Sequence, residues 1–510
     1  MIQKILKLAF SRVVVISLLI LLQTAILLYG LIYLQEFQII HLVLNLLSWL
    51  TILYILSRND NPAYKIAWMI PILLVPVFGG LFYLIFGSKK LPRHIRKYMK
   101  TVYIHTKNTL QLQSDDVLQQ LKNSCPDAYR QAYYLNEKAL APIYQHTTSQ
   151  FLSPGERIFE RMIEELRKAK KYIFMEYFII EDGEMWQKIF AILKEKASQG
   201  VCVRLLYDDL GSIATLRSNF PKEMKKYGIQ TRIFNPFKPS LDIFMNYRDH
   251  RKICVIDGIV GMTGGFNIAD EYINARVKHG YWKDSAILIK GDAVWNLTIL
   301  FLQLWDNQKD TFECDLLEYQ PPQHHYFTDG YVQPFGDSPL DDDLIGKQAY
   351  LNIIYRAKEY IYITTPYLIL DNETATALCS AAQSGIDVKI ITPHIADKWF
   401  VHALTRSNYM RLIKAGVQIF EYLPGFIHSK TIVSDDIYAI VGTTNFDFRS
   451  FYLHFECGVF LYHTKSVLEV RNDDDSILTL CKKITRLELE QTNPIIKFIQ
   501  MILHIFAPLM

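Results

Sequence analysis

The chain is poor in cysteine and has no paired cysteine motif. Its seven cysteines are scattered through 510 residues, and no two of them form a C-x-x-C pair. This pattern argues against a disulfide framework and against a thiolate metal site. Cysteines in apolar segments behave as small apolar residues, which fits a reducing cytosol.

An excess of charge of one sign is also missing, because the formal net charge is only +4. The distribution of charge is more informative. Residues 13–34, 39–56 and 66–86 are apolar and nearly free of charge, and each stretch is close to the ~20 residues that cross a bilayer. The first stretch lacks a small-residue cleavage site, which argues against a signal peptide. We therefore expect N-terminal transmembrane helices within a membrane anchor at residues 1–88.

Basic clusters on both sides of this anchor give conflicting topologies. A basic linker is expected at residues 89–150, and its first part holds Lys89, Lys90, Arg93, Arg96, Lys97 and Lys100. The positive-inside rule places this cluster, and so the rest of the chain, in the cytoplasm. Lys4, Lys7 and Arg12 place the N-terminus there too, and three full crossings cannot satisfy both. The third stretch is interrupted by proline and glycine and could re-enter or lie shallow.

A second apolar segment ends the chain, in the region 486–510. Residues 494–510 carry only Lys497 and His504 as basic or titratable groups among many apolar residues. The pattern fits a helix docked in the core or an interfacial helix on a bilayer, and the sequence does not separate the two.

One motif, H-x-K-x-x-x-x-D, occurs twice, and each copy is followed by a glycine and an asparagine at 14 and 17 residues from the histidine. The first copy contains His250, Lys252, Asp257, Gly264 and Asn267, and the second contains His428, Lys430, Asp435, Gly442 and Asn445. On a strand, side chains at i and i+2 share a face, so each histidine projects with its lysine into one site. The in-phase duplication makes an accidental match very improbable.

The repeat extends beyond the motif. Residues 155–171 predict an amphipathic helix that leads into an apolar strand at 172–178, and residues 344–358 lead into 360–367 in the same way. A helix and two further strands follow in each copy. We predict an α/β fold with two tandem domains related by pseudo-twofold symmetry, at residues 151–325 and 326–485. The first copy carries an insertion near 236–245 that would lie at the mouth of the site.

Two such half-sites together supply two imidazoles, two ammonium groups and two asparagine amides. Such donors favour an anion, and a phosphodiester fits best. One imidazole can attack phosphorus while the other protonates the leaving alcohol, and lysine and asparagine can bind the non-bridging oxygens. No metal or cofactor is needed for this chemistry, and the lysine beside each histidine would repel a divalent cation.

Carboxylates should hold the outer nitrogens of the two histidines. Glu456 and Asp284 occupy matching positions in the two copies and are the candidates, and Thr443 is grouped with the asparagines as a substrate-binding or orienting residue. Asp257 and Asp435 are grouped with the catalytic residues, although each points to the other end of its strand. A structural role for them, such as pairing with a lysine or capping a turn, is an equal alternative.

These motifs, with Gly264-Gly265-Phe266-Asn267, Gly442-Thr443-Thr444-Asn445 and Arg449-Ser450, make the chain similar to the phospholipase D superfamily. Within that superfamily it resembles the bacterial cardiolipin synthases, also in its apolar N-terminal segments and its terminal Ala507-Pro508-Leu509-Met510. One departure is His454, where the resemblance leads us to expect asparagine.

The resemblance implies two phospholipase-D-like domains and a reaction in which two phosphatidylglycerol molecules yield cardiolipin and glycerol. It implies that His250 is the nucleophile and His428 the acid and later the base, a choice that the symmetric sequence leaves open. It also implies a multi-pass protein of the cell membrane, with phospholipid and membrane as partners and no nucleic acid. A membrane-bound hydrolase, another phosphatidyltransferase and a non-catalytic scaffold are the alternatives, and the sequence does not reveal the oligomeric state.

Overall fold

The structure is a computed structural model. It describes residues 38–59, 61–75, 93–110, 116–237, 246–306, 316–320, 330–341 and 343–509, together with residue 326 and isolated positions between 21 and 33 and between 79 and 87. The first predicted apolar stretch and the insertion near 236–245 lie mostly outside these residues.

Helices occupy most of the N-terminal part. They are α1 (Gln38–Ser57), α2 (Pro62–Leu74), α3 (Arg93–Leu110), α4 (Asp116–Ser124) and α5 (Pro126–Ala139). Ile52 and Ile55 of α1 pack on Trp68 and Ile72 of α2 in a small buried cluster. In the described part of the chain, no helix combines the length and the apolar character that crossing a membrane requires.

The expected basic linker at residues 89–150 is largely helical. Leu118 and Leu121 of α4 and Ala132 and Leu135 of α5 are buried in the same core as the second domain. Apolar side chains at helical spacing give α4 and α5 a face that packs on the second domain.

In lobe one, the first repeat, the described residues form nine strands and five α-helices. The strands are β1 (Thr147–Leu152), β2 (Tyr172–Tyr177), β3 (Cys202–Asp208), β4 (Gln230–Phe234), β5 (Arg248–Asp249), β6 (Ile253–Ile256), β7 (Val260–Gly264), β8 (Tyr281–Lys283) and β9 (Ala286–Gly291). The helices are α6 (Gly155–Arg167), α7 (Glu184–Ser198), α8 (Asp209–Ser212), α9 (Phe220–Lys225) and α10 (Val294–Trp305). Its main sheet has the order β1-β9-β7-β6-β2-β3-β4.

Lobe two, the second repeat, begins at β10. Its strands are β10 (Tyr331–Asp337), β11 (Tyr360–Thr364), β12 (Leu368–Ile369), β13 (Asp387–Pro393), β14 (Gln418–Tyr422), β15 (Gly425–Ile427), β16 (Thr431–Ser434), β17 (Tyr438–Gly442), β18 (Phe446–Asp447), β19 (His454–Tyr462) and β20 (Cys481–Lys483). Its helices are α11 (Ile345–Arg356), α12 (Asn372–Gln383), α13 (Trp399–Lys414), α14 (Phe448–Tyr452) and α15 (Lys465–Leu478), and α16 (Arg486–Glu490) and α17 (Pro494–Phe506) follow.

The two main sheets repeat one topology. The order in lobe two is β10-β19-β17-β16-β11-β13-β14, with β20 added at the edge. In both sheets the central hairpin is antiparallel. Three strands are parallel in each: β2, β3 and β4 in lobe one, and β11, β13 and β14 in lobe two. The parallel part follows from helices α7 and α12, each of which connects two parallel strands. The predicted α/β fold with two repeats is confirmed.

A shared core joins the lobes. Phe174 of β2, Ile289 of β9, Val433 of β16 and Val459 of β19 belong to one buried cluster. Helix α10 lies in the same cluster, and its side chains are almost all buried, which explains its nearly uniform apolar sequence. The lobes therefore pack as one unit, which fixes the two motifs relative to each other.

Candidate active site

The two H-x-K segments lie between short strands that connect the lobes. His250 to Lys252 is extended backbone between β5 and β6, and His428 to Lys430 is the matching segment between β15 and β16. Strand β5 pairs with β19 of the other lobe, and β15 pairs with β8 of the other lobe. The sequence predicted that each H-x-K segment would lie within a strand of its own sheet. In the structure, both segments lie instead between two strands, where the lobes meet.

Backbone hydrogen bonds fix both segments across the interface. The amide of His250 donates to the carbonyl of Phe455 at 3.0 Å, and the amide of His428 donates to the carbonyl of Lys283 at 2.7 Å. Each histidine is therefore held by the lobe that does not contain it.

The imidazole of His250 is oriented by Glu456. Its Nδ1 lies 2.9 Å and 3.0 Å from the two carboxylate oxygens of Glu456, and the carboxylate is fully buried. The hydroxyl of Thr443 donates to Glu456 Oε2, while the amide of Cys457 donates to that hydroxyl at 3.0 Å. Since Nδ1 faces a carboxylate, Nε2 is the nitrogen available for chemistry.

The imidazole of His428 has the equivalent partner in Asp284. Nδ1 of His428 lies 2.8 Å from Asp284 Oδ2 and 2.8 Å from Nζ of Lys430. Asp284 is fully buried, and its Oδ1 accepts a hydrogen bond from the amide of Ser285 at 2.8 Å. Burial raises the pKa of Asp284 to about 7, against the lowering effect of Lys430.

The carboxylates are thus exchanged crosswise. Glu456 of lobe two holds His250 of lobe one, and Asp284 of lobe one holds His428 of lobe two. The two predicted carboxylates contact the two predicted histidines, and the crossing itself could not be read from the sequence. Neither His250 nor His428 takes its orienting carboxylate from its own lobe.

Two buried ammonium groups accompany the histidines. Lys252 donates to the carbonyl of His250 at 2.5 Å, and Lys430 donates to the carbonyl of His428. Burial lowers the pKa of Lys252 to about 8 and that of Lys430 to about 7. Burial and then the two lysines hold the pKa of His250 and His428 well below the usual range. The lysine of each half-site lowers the pKa of the histidine of the other half-site as well as that of its own.

The side chain of Arg251, between His250 and Lys252, points away from the two histidines and into the core of lobe one. Its Nε donates to Glu176 at 2.6 Å, and its Nη2 donates to the carbonyl of Leu300 at 2.9 Å. The alternation expected for an extended segment therefore holds, and a buried ion pair behind the motif fixes the backbone on which His250 and Lys252 are carried.

Close backbone packing requires glycine at positions 264 and 442, each 14 residues after a motif histidine. A Cβ at Gly264 would lie 2.4 Å from the carbonyl oxygen of Ser285, and a Cβ at Gly442 would lie 2.5 Å from that of Cys457. Each glycine lets the end of β7 or β17 approach the strand that carries the orienting carboxylate, and any side chain there would displace it.

Asp257 and Asp435 do not contact the site. Asp257 accepts hydrogen bonds from the amides of residues 170, 171 and 172, at 2.7–2.9 Å, and Asp435 accepts them from residues 358, 359 and 360, at 2.8–3.0 Å. Both have a positive φ, 55° and 56°. Their grouping with the catalytic residues is corrected, because each carboxylate caps the turn before β2 or β11.

The predicted asparagines differ from each other. Asn267 uses its whole amide inside the protein: Oδ1 accepts from the amide of Ile179 at 3.1 Å, and Nδ2 donates to the hydroxyl of Tyr272 at 2.7 Å. Of the two roles expected for Asn267, these contacts favour the orienting one, through Tyr272. Asn445 hydrogen-bonds to Asp447, and its Oδ1 has no partner in the described part of the chain.

Aromatic and histidine side chains around the two imidazoles were not predicted. Tyr272 and Trp282 lie with their ring centroids 5.5 Å from that of His428, and Phe178 and His454 lie 5.2 Å and 5.3 Å from His250. The sequence contained one indication of two of these neighbours. His454 and Trp282 each lie two residues before an orienting carboxylate, so on a strand they share its face.

His250, His454 and Glu456 form the one group of potential metal ligands found among the described residues, with donor atoms within 4.8 Å of one another. The donor set is a poor match for a divalent cation. The ammonium of Lys252 acts on the same Glu456 carboxylate, which is already engaged by His250 and Thr443.

Comparison with known proteins agrees with this geometry. The family model described as "Cardiolipin synthase, PLD-like domain" matches residues 162–293 and 350–477, which together are more than half of the chain. The chain belongs to the phospholipase D superfamily, among the bacterial cardiolipin synthases. A second model, "Phospholipase_D-nuclease N-terminal", matches residues 43–88. The two matches of the first model hold one motif each.

Curated relatives extend the likeness to most of the chain. A cardiolipin synthase of Oceanobacillus iheyensis is 35% identical over 92% of this chain and 98% of its own length. One of Halalkalibacterium halodurans is 36% identical over 82% and 83%. An uncharacterized protein of Streptococcus mutans is 39% identical over 90% and 99%. As a member of this family, the chain is a phosphatidyltransferase.

Among solved structures, the phosphatidylserine synthase of Haemophilus influenzae has the same fold. It superposes with a TM-score of 0.56 at 18% identity, over 75% of this chain and 98% of its own. This likeness confirms the tandem fold alone.

Proposed function

We propose that the protein makes cardiolipin from two phosphatidylglycerol molecules and releases glycerol, through a phosphatidyl group carried on His250. The single observation that supports this most is the crosswise pair of histidine–carboxylate contacts. It supplies two imidazoles with fixed orientation and two ammonium groups, the set needed to transfer a phosphatidyl group through a covalent intermediate.

In the first step, Nε2 of His250 attacks phosphorus and the bond from phosphorus to the headgroup glycerol oxygen breaks. His428 gives that oxygen its proton, so that free glycerol leaves. A depressed pKa keeps His250 neutral and nucleophilic near neutral pH, and the negative charge of a bound phosphodiester favours the proton on His428. The ammonium groups of Lys252 and Lys430 are placed to neutralise the non-bridging oxygens.

In the second step, His428 accepts the proton from a glycerol hydroxyl of a second phosphatidylglycerol. That oxygen attacks phosphorus, the phosphorus–nitrogen bond breaks, and cardiolipin forms with His250 restored. Glu456 and Asp284 keep both rings in the orientation that each step needs.

We also propose that the N-terminal helices anchor the protein in the cell membrane, with the lobes on the cytoplasmic side. Helix α1 supports this, because Leu42, Leu46 and Leu53 are 70%, 60% and 62% exposed. The basic residues after the apolar stretches support the orientation. An anchor of this kind keeps the site at the level of the lipid headgroups.

The test is to incubate the purified protein with labelled phosphatidylglycerol in vesicles, with a chelator present, and to identify the products. Cardiolipin and glycerol in equal amounts are expected. Phosphatidic acid alone would show a hydrolase, and no product would show a scaffold. Loss of activity on chelation would contradict the metal-free mechanism.

A further inference from the structure

Helix α17 presents its apolar side outward. Ile495, Phe498 and Met501 are 68%, 57% and 57% exposed. The polar side chain of Gln500 is turned toward the protein instead, where it donates to the carbonyl of Ala403 in α13 at 3.1 Å. This is the reverse of the pattern of a helix on a water-exposed surface.

The chemistry of this segment suits a lipid surface with negative charge. Residues 494–510 contain no aspartate or glutamate, and Lys497 is their fixed positive charge. Trp399, at the start of the helix against which α17 packs, is 67% exposed. Tryptophan and lysine beside an apolar face are typical of the headgroup level of a bilayer.

The packed side of α17 and the residues that follow it contact the N-terminal helices. Leu503 and Ala507 share a buried cluster with Ala63 of α2 and Leu404 of α13. Asn61, which caps α2, donates to the hydroxyl of Tyr452 in α14 at 2.9 Å. The exposed apolar faces of α1 and α17 therefore belong to one block of helices, and α14 directly follows the Asn445 and Asp447 segment of the second half-site.

We propose that α17 is an in-plane membrane helix that lays its apolar face into the headgroup region of an anionic leaflet. Its 13 residues are about 20 Å long, too short for the ~30 Å hydrocarbon core, so the helix lies along the surface. Through α13 and α14 it sets the tilt of lobe two against the membrane that supplies the substrate.

The first experiment measures the position of α17 directly. The full chain with Met501→Cys, labelled with an environment-sensitive fluorophore, is reconstituted into phosphatidylglycerol-containing vesicles. Tyr355→Cys is the matched control, because Tyr355 is 65% exposed on α11 of the same lobe. The labelled unsubstituted chain gives the background from native cysteines.

The label at 501 should shift to the blue and be quenched by lipids with a spin label near the headgroup, and the label at 355 should do neither. Absence of quenching at 501 overturns the proposal. Stronger quenching by a deep spin label would show a crossing helix. Energy transfer between labels on two copies, or crosslinking of position 501 to residues 1–37, would show that protein covers the face; each of these results also overturns it.

The second experiment rests on the proposed function. Phe498→Glu with Met501→Glu should lower turnover of phosphatidylglycerol in vesicles about tenfold and leave turnover of dissolved short-chain phosphatidylglycerol unchanged, which also shows that the variant folds. Tyr355→Glu should alter neither. Equal turnover by the variant on vesicles contradicts the proposal. If the unsubstituted protein makes no cardiolipin from either substrate, the proposed function fails, whereas the fluorescence result still decides the position of α17.

Discussion

The two half-sites share one scaffold but differ in what surrounds each histidine. The position two residues before the carboxylate is Trp282 in lobe one and His454 in lobe two. Trp282, Tyr272 and Phe426 surround His428 with aromatic rings. On the side of His250, Nδ1 of His454 lies 3.5 Å from Oε1 of the same Glu456 carboxylate. Burial and, to a smaller extent, the positive charge of Arg449 lower the pKa of both His250 and His454.

This difference shows how one duplicated motif can support two roles. Repeated strands and glycines place each imidazole by the same contacts, while the residues that are not repeated set its electrostatic surroundings. Two titratable groups in different environments are what a nucleophile and an acid require. The following variants test whether the two half-sites have different roles.

The largest effects should come from the two histidines. His250→Ala and His428→Ala should each lower turnover about 10⁴-fold or more, because each removes a whole chemical role. They should differ in the intermediate: the His428 variant can still form some acid-labile phosphatidyl-protein, and the His250 variant cannot. Radiolabelled phosphatidylglycerol followed by acid and base treatment measures this.

Cys254→Ala, on the adjacent strand and buried away from the chemistry, is the control and should keep most activity. Full turnover by either histidine variant would falsify the two-imidazole mechanism. A phosphatidyl adduct in the His250 variant alone would show that His428 is the nucleophile and His250 the acid.

The carboxylates should come next. Glu456→Gln and Asp284→Asn keep the shape of each contact but remove its charge, so each should lower turnover about 10²-fold. Presteady-state measurements should separate them: the Glu456 variant should form the intermediate slowly, and the Asp284 variant should protonate the leaving glycerol poorly. Equal behaviour of the two variants in every phase would mean that the half-sites act alike.

The lysines should give a pH dependence of about tenfold between neutral and alkaline conditions. Since the pKa is lowered to about 8 for Lys252 and about 7 for Lys430, both ammonium groups are charged at low pH and are lost as the pH rises through these values. The ratio kcat/KM should therefore fall on the alkaline side. Lys430→Arg, which stays charged, should move this fall to higher pH, and an unchanged profile would contradict the assignment.

The smallest effect should come from His454. His454→Asn should change turnover by only about threefold, because the contact between His250 and Glu456 stays in place and asparagine keeps a polar side chain at this position. His454→Trp places the residue of the equivalent lobe-one position, Trp282, beside His250. It should lower turnover more than His454→Asn does, because it replaces a polar neighbour of His250 by a largely apolar one. Steady-state kinetics of both variants beside Trp282→His would test the comparison from each side.

The sequence predicted much of the local structure. The apolar segments at 172–178 and 360–367 predicted β2 and β11 to within a few residues. The repeated spacing pointed to His250, Lys252, His428 and Lys430 as one site. The carboxylates that hold the two histidines are far from them in the sequence, and their pairing could not be predicted. Glu456 and Asp284 were found as matching positions, but which histidine each one holds depends on how two domains pack.

Residues that serve the backbone were the hardest to assign. Asp257 and Asp435 are part of the repeated spacing, and a motif does not distinguish a turn cap from a reacting group. Asn267 has a chemically suitable amide, but its donor and acceptor are already used by Tyr272 and Ile179. In the stretch around 118–135, the polar surface of α4 and α5 concealed their contribution to the core of lobe two.

The crosswise carboxylates also affect the order in which the enzyme matures. The chain is synthesised from its N-terminus, and Glu456 emerges about two hundred residues after His250. Until β19 has docked, His250 lacks the carboxylate that orients its imidazole. If His250 is the nucleophile as proposed, an unfinished polypeptide should not yet transfer a phosphatidyl group.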